Sequence, residues 1–196
     1  MLKSCAVVIM AGIFLTTNAF AGATDEVKKT VDEVVRIVSD KNMKKHGLER
    51  RQALKKTIGA VFDYSEMAKR SLGKHWNQRS PAERRHFTAL FASLLENSYA
   101  GKIESYNNEK IVYLKETLDG DYADVKSKVI TPKRDEYSLD YRLIKENGKW
   151  MVYDVVIEGV SLVSNYRDQF NKIVTANGYN ELVKKLQTKA NEFKAS

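Results

Sequence analysis

The most unusually placed acid in the chain is Asp154, which interrupts the run Trp150-Met151-Val152-Tyr153-Asp154-Val155-Val156-Ile157, apolar on both sides of it. A carboxylate among such neighbours must be hydrogen-bonded or neutral. If the run is a strand paired back through the Asn147-Gly148 turn, Tyr141 stands opposite Asp154 and two chemistries are open. One is a structural Tyr–Asp hydrogen bond. The other is a general base in an apolar cone, with a tyrosine stabilising developing oxyanion charge, as in some sheet-and-helix isomerases. The remaining reactive groups are poorly placed for catalysis. His46, His75 and His86 lie in basic surroundings without a spaced carboxylate partner, so no metal site and no cofactor are expected. There is no Gly-rich phosphate loop and no His-Glu-x-x-His motif. Ser80 and Ser161 each precede a helical stripe outside any nucleophile-elbow sequence, which makes them helix caps. The balance favours a protein that is not an enzyme.

The front of the chain bears on where that protein works. Lys3 and the apolar segment Cys5 to Leu15 form the n-region and h-region of a secretory signal, and Ala19-Phe20-Ala21 places small residues at the cleavage subsites. Residues 1–21 therefore read as a signal peptide, and 22–196 as a single domain. The apolar run is about half of the roughly 20 residues needed to span a bilayer. Cleavage removes Cys5, the only cysteine, leaving no thiol for a disulfide or a ligand. It also removes Lys3, leaving 32 basic residues against 25 acidic ones, a formal charge of +7. Outside the cytoplasm such charge meets anionic headgroups and acidic proteins rather than nucleic acid. Basic clusters lie at Lys41-Lys44-Lys45, Arg50-Arg51-Lys55-Lys56, Arg84-Arg85 and Lys133-Arg134.

Hydrophobic spacing supplies the elements that would position these residues. Val27, Val31, Val34, Val35 and Val38 recur at three and four, predicting a helix over about 25–40. Lys41 to His46 reads as a loop, and Leu54, Ile58, Val61 and Phe62 mark a second helix. Asp63 with Glu66 predicts a capping box, opening a short helix to about Leu72. Ser80-Pro81-Ala82-Glu83 is the strongest start signal, with the serine capping, proline at the first helical position and glutamate completing the box. From there Phe87, Leu90, Phe91, Leu94, Leu95, Tyr99, Ile103 and Tyr106 hold one face over roughly 37 Å, enough to floor a domain. Leu162 to Val174 and Leu182 to Phe193 complete six helices.

Between them the period changes to alternation, predicting four strands near 110–118, 121–131, 136–146 and 149–158, joined through Asp119-Gly120 and Asn147-Gly148 hairpin turns. The order of elements argues α+β, with a four-stranded antiparallel meander packed by about six helices. Pairing outward from the turns sets Leu143 opposite Val152, Tyr141 opposite Asp154, Leu139 opposite Val156 and Leu114 opposite Val125. One face then collects Val112, Leu114, Val125, Val129, Leu139, Leu143, Val152 and Val156, the other being charged.

The junction Tyr153-Asp154-Val155-Val156-Ile157-Glu158-Gly159-Val160-Ser161-Leu162, preceded by Trp150, resembles the strand-to-helix junction of the MlaC-type family, also called toluene-tolerance auxiliary proteins. The Ser80-Pro81-Ala82-Glu83-Arg84 helix start, with Phe87, Phe91, Leu95, Tyr99 and Tyr106, and the ending Gly178-Tyr179-Asn180-Glu181-Leu182 are similar to it as well. The resemblance covers roughly 30 to 190. It implies an NTF2-like-related cone with an apolar interior, in a soluble, monomeric periplasmic carrier. Such a carrier takes one glycerophospholipid at a time between an outer-membrane lipoprotein complex and an inner-membrane ABC-transporter complex. Tails would sit between sheet and helices, lined by Phe91, Leu94, Leu95 and Tyr99 from the long helix and Leu139, Tyr141, Leu143 and Val152 from the sheet. Arg84, Arg85, Lys133 and Arg134 would dock acidic partner surfaces, with Asp154, Glu158 and Gly159 as structural residues. Two other classes stay open: an isomerase or hydrolase using Asp154, and an envelope adaptor.

Overall fold

The computed structural model describes residues 22–195, so the expected signal peptide lies outside the described residues. Helices α1 (Ala23–Ser39), α2 (Lys41–Lys45), α3 (Gly47–Gly59) and α4 (Tyr64–Leu72) come first. A 3₁₀ segment (Gly73–Gln78) then leads into α5 (Pro81–Glu104). Strands β1 (Lys110–Asp119), β2 (Tyr122–Ile130), β3 (Glu136–Glu146), β4 (Lys149–Ile157) and β5 (Val160–Ser161) follow, and α6 (Leu162–Asn177) and α7 (Tyr179–Ala195) close the chain. The strands form one antiparallel sheet in sequence order, a meander as expected. The class is α+β, with five strands and seven α-helices among the described residues rather than four and six.

The two extra elements have local causes. Asp40 accepts from the backbone of Asn42 and Met43, so a capped turn forms where a loop was expected. Glu158 and Gly159 both take positive φ, 49° and 77°, the signature of a two-residue type I′ turn. That turn folds Val160–Ser161 back onto β4. The predicted box at Ser80 forms in both directions, Glu83 N donating to Ser80 Oγ and Ser80 N to Glu83 Oε2. At Asp63 only half of the box forms, because Glu66 turns away to pair with Lys69 and Arg70.

The second hairpin keeps its predicted register from Glu146↔Lys149 to Leu143↔Val152. Beyond Val152 an extra residue, Tyr153, shifts the pairing, so Arg142 and not Tyr141 faces Asp154, Tyr141 faces Val155 and Leu139 faces Ile157. The first hairpin turns on Gly120-Asp121 rather than Asp119-Gly120. Only Gly120 of that pair has positive φ, as a type II′ turn needs, and Glu116 rather than Leu114 therefore faces Val125. A second irregularity at Leu114 leaves that residue 59% exposed and turns Ile111 and Tyr113 inward in place of Val112. Val156, paired with Asp140, likewise belongs to the opposite face.

The apolar interior is divided. One cluster lies among α4, α5, α6 and α7, around Met67, Phe87, Phe91, Phe170 and Leu182. A second lies on the inner sheet face under α1, around Val27, Val125, Tyr141, Leu143 and Val152. A smaller one, Ile37, Val38 and Leu54, joins α1 to α3. The long helix α5 thus packs on α4 and α7 instead of flooring the sheet. The inner face of the sheet is covered by α1, whose first turn is tied to β1 by Thr24 N and Oγ1, both donating to Glu116 Oε2 at 2.7 and 2.6 Å, while α4 and α6 pack on β4.

Candidate functional site

The eight expected lining residues fall into two groups. Phe91 and Leu95 are buried in the helical cluster, with Leu94 and Tyr99 partly buried at its margin. Tyr141, Leu143 and Val152 are buried in the sheet cluster, with Leu139 at its margin. The shared face inferred from spacing is therefore two faces. Phe62 packs against both clusters. It is held there by a short parallel bridge, Val152 N donating to Val61 O and Asp63 N to Val152 O, at 2.8 and 2.9 Å. Spacing makes Phe62 the end of a helical stripe. Its position between the clusters is a tertiary fact that periodicity does not carry.

Where β4 meets α6, the carboxylate of Asp154 is 3% exposed and fully engaged. Oδ1 accepts from Val163 N at 3.1 Å, and Oδ2 accepts from Ser161 Oγ at 2.6 Å and from Arg142 Nη1 at 3.2 Å. Ser161 in turn accepts from Ser164 N, so aspartate and serine together cap the N-terminus of α6, where free backbone donors and the helix dipole favour a negative charge. Among the described residues no tyrosine hydroxyl is bonded to Asp154. Burial holds the Tyr141 phenol well above its ordinary range and raises that of Tyr113 to about 12, so both stay neutral. Glu158 and Gly159 form the turn that brings Ser161 back to this point, and Glu158 accepts from Ser138 N and donates its own N–H to Ser138 O.

Beside this junction opens a polar cleft of about 530 Å³ between α4, α6 and the outer face of the sheet. Three arginines from three elements line it: Arg70 of α4, Arg142 of β3 and Arg167 of α6, with Asp124 and Tyr153. Sequence reading did not single them out. Arg142 was within reach of it, since a one-residue slip of the register sets it opposite Asp154.

Of the expected docking residues, Arg85, Lys133 and Arg134 are exposed. Arg84 is half-buried, stacked 5.4 Å over Trp76 and donating to the carbonyls of Trp76 and Asn77, so it also holds the 3₁₀ segment to α5. Among the described residues no cluster of three or more His, Cys, Asp and Glu could hold a metal ion, and no helix is long and apolar enough to cross a membrane.

Comparison with known proteins places this geometry. The intermembrane phospholipid transport system binding protein MlaC of Haemophilus influenzae is 29% identical over 126 residues, 62% of this chain and 59% of that one. Toluene tolerance protein ttg2D of Pseudomonas putida is 30% identical over 142 residues, 71% of this chain and 66% of that one. The matched stretch thus spans less than two thirds of either relative. A solved structure of the phospholipid-binding protein from Ralstonia solanacearum, in complex with a phospholipid, superposes with a TM-score of 0.80 at 27% identity. That match covers 89% of this chain and 99% of that one. The family model described as MlaC protein matches residues 28–188, and the chain belongs to that family.

Proposed function

We propose that this protein is a periplasmic carrier that holds a single glycerophospholipid and moves it between an outer-membrane lipoprotein complex and an inner-membrane ABC-transporter complex, as a monomer and without catalysing a reaction. The observation that carries the reading is the fold shared with a phospholipid-bound protein along almost all of that protein's length. The tails are taken into the seam between the helical and sheet clusters, at Phe62, with Leu94 and Tyr99 on one side and Leu139 on the other. These residues are partly buried at the cluster margins, where side chains can part without emptying a core. The division into two clusters supports an NTF2-like-related cone that opens along that seam. Solvent extraction of the purified protein followed by lipid mass spectrometry tests the reading: about one phospholipid per chain is expected, and lipid-free protein would refute it.

Leu94→Trp probes the seam. The larger ring is expected to lower bound phospholipid severalfold in a protein that stays folded, whereas overpacking a filled core costs about 1–3 kcal/mol. Unchanged occupancy together with a lowered melting temperature would assign Leu94 to the core. Docking is assigned to Arg85, Lys133 and Arg134, with Arg84 contributing beside its packing role. Surface attraction of this kind is screened over about 8 Å at physiological salt, so association with acidic partner surfaces should slow as salt rises. Charge reversal at Arg85, Lys133 and Arg134 together is expected to slow association by about tenfold or more in stopped-flow or biosensor measurements. Rates that stay the same would make these residues a solvated surface only.

The enzyme reading finds less support. A general base must reach substrate, and Asp154 is buried with three donors of its own chain on its two oxygens.

A further inference from the structure

We propose that the cleft beside the β4–α6 junction is an oxyanion site for a phosphodiester, built from Arg70, Arg142 and Arg167. The inference deepens the phospholipid reading and rests on it only for the source of the phosphate.

Two of the three guanidinium groups, those of Arg70 and Arg142, are held in place before any ligand arrives, and the third, Arg167, is exposed and tethered by one hydrogen bond. Arg70 donates from Nε to Glu66 Oε1 at 2.8 Å, and its guanidinium carbon lies 4.1 Å from the centre of the Tyr153 ring and 5.8 Å from that of Tyr122. Arg142 is fixed by two carboxylates, Nη1 to Asp154 at 3.2 Å and Nε within 3.5 Å of Asp124. Arg167 donates from Nη2 to Ser164 Oγ and forms no ion pair with a described carboxylate. These contacts leave N–H groups on each guanidinium for an oxygen-rich anion, and groups already ordered lose little entropy on binding.

The wall of the cleft is also shaped for Arg167. Gly73 has a φ of +55°, which strains any larger residue there, and its place for a Cβ lies 3.4 Å from Arg167 Cδ, at van der Waals contact with the stem of the arginine. The charge of the lining selects among anions. Three arginines face Asp124 and Asp154 in the cleft, and Glu66 behind Arg70 is shared with Lys69, so the surplus positive charge is small and suits the single negative charge of a phosphodiester. Asp124, half exposed at 52% and facing the same space, opposes a second negative charge on a bound anion. A phosphodiester is therefore favoured over inorganic phosphate or a phosphate monoester.

The test uses lipid-free protein, so that no bound headgroup occupies the cleft, and sn-glycero-3-phosphocholine as a soluble diester, titrated by NMR beside inorganic phosphate. The diester is expected to bind more tightly than phosphate. Arg167→Gln, which leaves the Asp154 network intact, should weaken the diester by about tenfold or more, while Arg36→Gln on α1 should change nothing. The ³¹P resonance of co-purified phospholipid separates the sources. If Arg167→Gln moves it, the phosphate belongs to the lipid headgroup. If diester binding is lost but the lipid resonance stays put, the site takes a free phosphodiester. No saturable diester binding, or equal binding by the parent and Arg167→Gln, overturns the proposal. Lipid content of the parent protein as purified is read separately, so the carrier reading and the oxyanion site stand or fall on different measurements.

Discussion

Replacing Phe91 by alanine is expected to lower the unfolding free energy by about 4 kcal/mol, the upper range for a single substitution. The ring is fully buried. It stands edge-on to Tyr166 and Phe170, with centroids 5.3 and 5.5 Å away, and is stacked on Phe87 at 6.1 Å. Truncation would remove the transfer free energy of the ring, forfeit these aromatic contacts and leave a cavity among helices that cannot all close in at once. For a chain of this length the melting temperature should fall by roughly 10 °C. Thermal unfolding of lipid-free and lipid-loaded protein checks two things together. A loss under about 1 kcal/mol in both would mean that the site collapses freely. A loss seen only with lipid bound would make Phe91 a tail contact rather than a core residue.

Asp154→Asn should cost about 3 kcal/mol, since hydrogen bonds to a charged group contribute more than neutral ones and every partner of this carboxylate is a donor. Asparagine keeps one acceptor oxygen and turns an amide towards donors on the other side. Arg142 softens the loss, because its side chain is 41% exposed and can find water and Asp124. The folded fraction should still carry phospholipid at near-normal occupancy. A variant as stable as the parent that turned over an apolar substrate 10²-fold or more slowly would instead establish Asp154 as a base.

Features written in a few adjacent residues were legible beforehand. The Ser80-Pro81-Ala82-Glu83 start and the Asn147-Gly148 turn form as their chemistry dictates, and the strand ends fall within about a residue of their predicted places. Asp154 was conspicuous for a sound reason, a carboxylate in an apolar run. Its partner was misassigned because the Tyr153 bulge answers to packing between the sheet and the α4–α6 helices, and alternation carries no mark of it. The same holds for the stripe on α5. Spacing tells that Phe87, Phe91 and Leu95 are buried, but not against what. The answer, neighbouring helices, depends on where α4, α6 and α7 lie. Asp119-Gly120-Asp121 was ambiguous at the local level, since glycine serves as the second residue of a type I′ turn and the first of a type II′ turn. The three arginines of the cleft come from elements far apart in the chain, so their convergence exists only once the fold does.

The bulge at Tyr153 makes chain length a constraint in its own right. Over four consecutive residues β4 serves three neighbours: Val152 and Val155 go to the sheet cluster, Tyr153 to the helical cluster and Asp154 to the start of α6. Strict alternation would send Val152 and Asp154 to the same side, so the assignment depends on the number of residues as much as on their identity. Losing or gaining one residue between Val152 and Val155 would turn the carboxylate away from Ser161 and unseat the helix that follows, even with every side chain conserved. The exposed connection 132–135 is under a looser count, because a loop at the surface can absorb a change of length while the β2–β3 pairing on either side of it is kept. Along this chain, insertions and deletions are filtered by position far more sharply at the bulge than at the loop.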